Sequence, residues 1–306
     1  MIDVRETTTP AEERTSLEIY NAVWPDAAIG PAEAQAFRAS LRDDFDYLAF
    51  GDGQPIASAA GGIRPQRQDR AFTLITVLAE HRRRGAGTVL YDRVSEWARA
   101  RGIERLETWV DADDAESVGY AERRGFVEIE RDSRLVLDLA GVEPPEIDAP
   151  AGVEIVSWAE RPDVIRGIYE VAREGNPDIP GNEDEQMLPF EDWLEHEMNG
   201  PGDRADATFV ALSGDEVVGY AKFSLTTARP TVAAHDMTAV RRSWRGRGVA
   251  GALKRAQIGW AKRQGYEKLQ TSNEVRNVPM RRLNERLGYR VAAVRVFLVG
   301  PLSGGA

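Results

Sequence analysis

The sequence predicts an α/β protein in which one domain occurs twice, each copy a mixed, mostly antiparallel sheet flanked by helices. Three observations carry that expectation: the length of 306 residues, an internal repeat that keeps one register, and the order of strand-like and helix-like runs within each repeat. A chain this long exceeds a usual domain of roughly 150 residues, so two cores are expected. The repeat supplies them. "TVLAEHRRRGAGTVLYDRVSEWARARGIERLETW" and "AVRRSWRGRGVAGALKRAQIGWAKRQGYEKLQTS" set Val77 against Val240, Arg82 against Arg245, Gly85 against Gly248, Leu90 against Leu253, Trp97 against Trp260 and Gly102 against Gly265, every pair 163 residues apart. The same spacing holds at Gly125 and Gly288, where "ERRGF" meets "ERLGY".

Each copy follows one order. A strand at "IDVRE" or "VEIVSW" leads to a helix around Ile19 and Tyr20 or Ile168 and Tyr169, then to a more variable helical stretch. Hairpin strands follow in "YLAFGDGQPIASAAGGI" and "TFVALSGDEVVGYAKFSL", with turn signals at Asp52-Gly53 and Gly214-Asp215. A fourth strand, an Arg/Gly-rich turn and a helix come next; Leu90, Val94, Trp97 and Ala98 share one face of that helix in the first copy. The unit ends with a strand ("RLETWV", "KLQTSN"), a helix, Gly-Phe or Gly-Tyr, and a last strand ("RLVLDL", "RVFLVG"). "LAGVEPPEIDAPAG" has the Pro, Gly and acidic composition of an exposed connection. The expected domains are residues 1–140 and 153–306, joined by a linker at 141–152.

Composition narrows the chemistry. At 42% hydrophobic and 29% charged residues the chain reads as globular, and runs such as "VAAVRVFLVG" are too short to span a bilayer. The start, "MIDVRETTTPAEER", lacks the basic and apolar regions of a secretory signal, so a cytoplasmic location is expected. Without cysteine there is no disulfide, thiolate ligand or Cys nucleophile, and three histidines (His81, His196, His235) leave little for a metal site, so none is expected. A net charge of −11 argues against nucleic acid as a partner and mildly favours a cationic one. No membrane partner is expected.

The Arg/Gly turn is the most informative feature. "GRGVAG" at 246–251 matches a dinucleotide fingerprint, but the first copy has Arg83 and Thr88 in place of its outer glycines. What both copies keep is Arg-x-x-Gly-x-small: Arg82, Gly85 and Gly87, then Arg245, Gly248 and Ala250. Small residues let backbone approach a ligand, and the unpaired N–H groups at the start of the next helix suit a pyrophosphate. Arg83, Arg84, Arg241, Arg242 and Arg247 add positive charge.

With these residues in place, the sequence resembles a tandem member of the GNAT superfamily of acyl-CoA-dependent N-acyltransferases, over nearly the whole chain and once per copy. The resemblance implies a splay between strands four and five that holds acetyl-CoA, its pantetheine arm running along strand four and its pyrophosphate on the turn. Val240 and Arg241 would then offer backbone contacts, and Arg245, Gly246, Arg247, Gly248, Val249 and Ala250 would hold the pyrophosphate. Val77, Leu78, Arg82, Arg83, Arg84, Gly85, Ala86 and Gly87 are the first-copy counterparts. The second copy adds Asn273 and Asn277, matching a motif whose Asn side chains contact CoA, although Asn277 also suits a helix N-cap; the first copy has Val110 and Asp114 there.

The same comparison nominates catalytic groups. Alternation from Val240 puts Thr238 and Asp236 on one face and His235 on the other; the first face is implied to look toward the acceptor, so Asp236 is the leading general base and His235 the second. The position of the family's acidic Tyr is held by Asn284, and by Ala121 in the first copy with Tyr120 one place away. The second copy is therefore expected to carry the reaction and the first to be degenerate. Residues 176–198, including Glu183, Asp184, Glu185, Glu191 and Glu195, suit a cationic amine acceptor or a wet helical face packed through Trp193 and Leu194. The expected activity is acetyl transfer to a primary amine of a small molecule, such as an aminoglycoside-like antibiotic or a metabolite. A CoA-binding module without turnover, a protein or peptide acetyltransferase and a mycothiol-synthase-like enzyme are the alternatives. The expected assembly is a monomer with an internal pseudo-dimer, or a homodimer.

Overall fold

The computed structural model describes residues 2–180 and 186–304. In chain order its main elements are β1 (Ile2–Glu6), α1 (Pro10–Val23), α2 (Pro31–Ala39), β2 (Asp43–Gly51), β3 (Gln54–Arg64), β4 (Arg67–Val77), α3 (Ala86–Arg99), β5 (Arg105–Asp111), α4 (Ala115–Glu122) and β6 (Val127–Asp138). The second half has β7 (Glu154–Ser157), α5 (Ile165–Gly175), α6 (Phe190–Trp193), β8 (Phe209–Ser213), β9 (Glu216–Ser224), β10 (Val232–Val240), α7 (Val249–Arg263), β11 (Lys268–Glu274), α8 (Val278–Arg286) and β12 (Arg290–Pro301). Local signals explain several boundaries. Thr9 and Glu12 form a capping box ahead of α1, with Pro10 at its first turn. Asp52 and Gly53 both sit at positive φ (+50° and +79°), as the two-residue hairpin between β2 and β3 requires.

The chain divides into two compact units that do not follow the sequence boundaries at 140 and 153. Unit 1 is Met1–Arg131 with Val294–Ala306, and unit 2 is Asp132–Ala293. In unit 1 the strand order is β1-β2-β3-β4-β5-β12, with Arg295–Pro301 antiparallel to β5. In unit 2 it is β6-β11-β10-β9-β8-β7, with Asp132–Asp138 antiparallel to β11. Each unit is thus closed by the final strand of the other sequence copy. A repeat identifies which strands correspond, but hydrogen-bond pairing decides which sheet they join. The cores agree with this exchange: Val296 and Leu298 pack with Leu90, Val94 and Trp97, while Leu135, Leu137 and Leu139 pack with Leu253, Trp260 and Leu269. Residues 141–152 form neither helix nor strand. No helix among the described residues is long and apolar enough to cross a membrane.

Candidate active site

Both units split their sheet at the same place. In unit 1, β4 and β5 pair in parallel only at Ala71 with Leu106 and Phe72 with Glu107; in unit 2, β10 and β11 pair only from Val232 to Ala234. Beyond the split, strand four runs unpaired on one side to the Arg/Gly turn. Leu78 and Arg241, expected to contact a ligand through their backbone, do not offer it: their N–H groups bond Ile56 and Val218, and their carbonyls accept from His81 and Trp244. Because antiparallel neighbours alternate the direction of successive N–H groups, the preceding residues, Val77 and Val240, direct theirs toward the split.

The turn has the same shape in both units. Gly85 and Gly248 occupy left-handed conformations (φ +96° and +95°) at the N-caps of α3 and α7, and neither helix has a side-chain cap. The first N–H groups of each helix, those of Ala86 and Gly87 and of Val249 and Ala250, lack intrahelical acceptors by geometry and suit an anion. Arg82 Nε and Arg245 Nε donate to the carbonyls of Val77 and Val240 at 3.4 and 3.0 Å, which ties each turn to its strand. Arg83 adopts φ +60° where the second copy has Gly246 at +75°.

The surroundings of the two turns differ. In unit 1 the turn opens on a cavity of about 690 Å³ whose walls include Val77, Arg82, Arg83, Gly85, Ala86 and Gly87, and whose other end reaches Trp24, Thr73 and Trp109. Arg84 is exposed and does not line it. Asp114 caps α4 by accepting from the Ser117 N–H at 3.1 Å and pairs with Arg82 at 3.4 Å. Burial raises its pKa, but the Ser117 hydrogen bonds and Arg82 outweigh that and hold the carboxyl below its usual range. Tyr120 also lines the cavity, with the Arg124 guanidinium 3.5 Å over its ring, and burial raises its phenol.

In unit 2 Arg241, Arg242 and Arg245 are paired with carboxylates, Arg242 and Arg245 more closely than Arg82 and Arg83 are in unit 1. Glu174 accepts the Arg242 N–H at 2.6 Å and meets Arg241 at 3.3 Å; Asp178 binds the fork of Arg242 at 2.8 and 3.0 Å and Arg245 at 2.7 Å. Those contacts, Arg242 first, hold Asp178 below the usual carboxylate range. Arg247 stacks 4.9 Å over Trp244. Polar side chains next to the unit-2 split also bond one another. His235 Nδ1 lies 2.9 Å from Gln257 Oε1 and its Nε2 2.5 Å from the Tyr289 hydroxyl, while Asn284 donates to Asn273 at 2.6 Å. At the same offset the first copy has Phe72, Val94, Phe126, Ala121 and Val110. Asn277 accepts from the Met280 N–H at 3.3 Å and is the N-cap of α8.

These contacts correct the catalytic nominations. His235 is buried with both ring nitrogens occupied, and burial, then the charge of Lys254, push its pKa well below 6.5, so it is a core residue. Asn284 is fully buried on Asn273. A β-bulge between His235 and Thr238 breaks the assumed alternation: Thr238 pairs with Ala221 and His235 with Phe223, while Asp236 meets Lys222 on the opposite face. Lys222 Nζ lies 2.7 Å from Asp203 and 2.9 Å from Asp236, and also donates to the Glu197 carbonyl. Burial pulls the Lys222 ammonium down, but Asp236 and Asp203 outweigh it and hold it above the ordinary lysine range. Glu183, Asp184 and Glu185 lie outside the described residues. Trp24 is a cavity residue with a weak sequence signal, a Trp-Pro pair ending the first amphipathic helix.

Comparison with known proteins agrees with this architecture. The family model described as "Acetyltransferase (GNAT) family" matches residues 13–126 and 165–289. Among solved structures, a GCN5-related N-acetyltransferase from Sphaerobacter thermophilus superposes with a TM-score of 0.76 at 21% identity, over 100% of this chain and 97% of that one. A tandem GNAT protein from the clavulanic acid biosynthesis pathway has a TM-score of 0.76 at 18% identity over 100% of both chains. A glucosamine N-acetyltransferase region of a fungal multi-domain GH3 β-N-acetylglucosaminidase has a TM-score of 0.73 at 15% identity, over 97% of this chain and 38% of that one. No curated protein sequence matches the chain.

Proposed function

Because the chain belongs to the acetyltransferase (GNAT) family of enzymes, we propose that it moves an acetyl group from acetyl-CoA to a primary amine of a small molecule, with the donor held by unit 1. In a ternary complex the neutral amine attacks the thioester carbonyl carbon; the C–N bond forms, the C–S bond breaks and CoA leaves as thiolate, while the amine proton passes to solvent. A thiol of pKa about 8.5 is a tolerable leaving group without a strong acid.

The observation that carries this reading is the 690 Å³ cavity running from the unit-1 turn to the split between β4 and β5. On this reading the helix start at Ala86 and Gly87, with Arg82 and Arg83, meets the pyrophosphate, and Val77 meets the pantetheine arm. The unit-2 turn, where Asp178 holds Arg242 and Arg245 at 2.8 and 2.7 Å against 3.4 and 3.2 Å for the ion pairs of Arg82 and Arg83, is the weaker candidate, which reverses the assignment made from sequence. Free-thiol release from acetyl-CoA against a panel of amines, with the acetylated product identified by mass, tests the activity. Binding of acetyl-CoA with no turnover on any amine would leave a binding module and reject the enzyme reading.

A further inference from the structure

At the place where β4 and β5 part, unit 1 presents aromatic walls and buried polar atoms without partners. The rings of Trp24 and Trp109 meet edge-on with centroids 4.6 Å apart, and both line the cavity. Arg295 covers Trp109 at 3.9 Å. Thr73, the first β4 residue beyond the split, lines the same cavity and is 2% exposed. Its hydroxyl and the Trp24 indole N–H are buried with no hydrogen-bond partner. A buried donor without a partner is unfavourable, so two in one cavity wall point to a ligand that satisfies them.

Charge defines the ligand further. The cavity lining includes Arg82, Arg83, Arg123 and Arg124, and its one acidic member, Glu116, is paired with Arg83. Nothing there favours a polyamine. Thr73, Thr108 and Trp109 beyond the split, with Trp24 and Val23 from the end of α1, surround the inner end with largely apolar surface in which the Trp24 N–H and the Thr73 hydroxyl lack partners.

We propose that this inner end of the cavity binds a planar, uncharged aromatic group bearing a hydrogen-bond acceptor, delivered either by the acyl part of the thioester or by the amine. The proposal rests on the donor lying in unit 1. The flat group packs on the Trp24–Trp109 pair, and its acceptor atom takes the Trp24 N–H and the Thr73 hydroxyl.

Two substrate arms separate the sources. One compares 4-hydroxyphenylacetyl-CoA with acetyl-CoA on a fixed short amine; the other uses acetyl-CoA and compares tyramine with butylamine and spermidine, all on the full chain. The expected result is a kcat/KM preference of tenfold or more for the aromatic member in one arm. Trp24→Phe, which keeps a ring and loses the N–H, and Thr73→Val, which keeps the shape and loses the hydroxyl, should each cut that preference by up to about tenfold while CoA itself still binds. No aromatic preference in either arm, or a preference that both variants leave intact, overturns the proposal. If Gly87→Glu leaves acetyl-CoA binding untouched, the donor-site reading fails and this proposal falls with it; if Gly87→Glu abolishes binding but the aromatic preference is absent, only the present proposal fails.

Discussion

Lys222 Nζ sits 2.9 Å from Asp236 Oδ2 and 2.7 Å from Asp203 Oδ1, so the carboxylate that the sequence nominates as a base is an ion-pair partner of a buried lysine. Asp236 is 42% exposed and Lys222 keeps Asp203, so loss of this one charge is mild. Asp236→Asn is expected to lower stability by about 0.5–1 kcal/mol in urea unfolding and to leave kcat/KM within about threefold. A loss of about a hundredfold, the scale of a positioned general base, would return the chemistry to unit 2.

Lys254 supplies a pH test in unit 2. It is 1% exposed, and burial pulls its pKa from 10.5 to about 7. The folded chain therefore releases a proton that the unfolded chain keeps, and the cost is full below about pH 7 and gone above 10.5. Lys254→Met should stabilise unit 2 by a few kcal/mol at pH 7, with the advantage over wild type shrinking as pH rises toward 10. Thermal melts across that range check it, and a pH-independent difference would contradict the burial account.

Arg83 and Gly246 test the turn. A left-handed Arg costs about 1–2 kcal/mol, and the freedom of Gly in the unfolded chain takes back about 0.5–1. The Arg83–Glu116 pair is exposed on both sides and adds little. Arg83→Gly should therefore raise the melting temperature slightly while weakening acetyl-CoA binding, because one cation beside the phosphates is lost. Destabilisation beyond 1 kcal/mol would show that the side chain does more than tolerate its backbone.

The repeat made most of the fold legible, since equal spacing of Gly85 and Gly248 and of Trp97 and Trp260 locates both turns and both helices. The exchange of β6 and β12 was not legible, because their apolar alternation suits either sheet. Asp236 was misplaced by one bulge, a two-against-one pairing that alternation cannot foresee. Asn273 read as a CoA contact and Asn284 as the residue at the catalytic Tyr position, and only their bond shows that they hold each other. Glu174 and Asp178 lie more than 60 residues from the arginines they neutralise, beyond the reach of local pattern.

The central claim, that unit 1 holds the donor, is tested most directly by calorimetric titration of acetyl-CoA into matched variants Gly87→Glu and Ala250→Glu. Neither position has positive φ, and a Cβ at Gly87 would meet Tyr120 and Val77 at ordinary contact distances of 3.6 and 3.7 Å, so both chains should fold. Each variant puts a carboxylate at the helix start where phosphate is to bind, and an acidic residue there suits the helix itself. The expected result is one acetyl-CoA per chain, with binding lost by at least a hundredfold in Gly87→Glu and unchanged within about twofold in Ala250→Glu. Loss in Ala250→Glu with Gly87→Glu unaffected would contradict it and move the donor to unit 2.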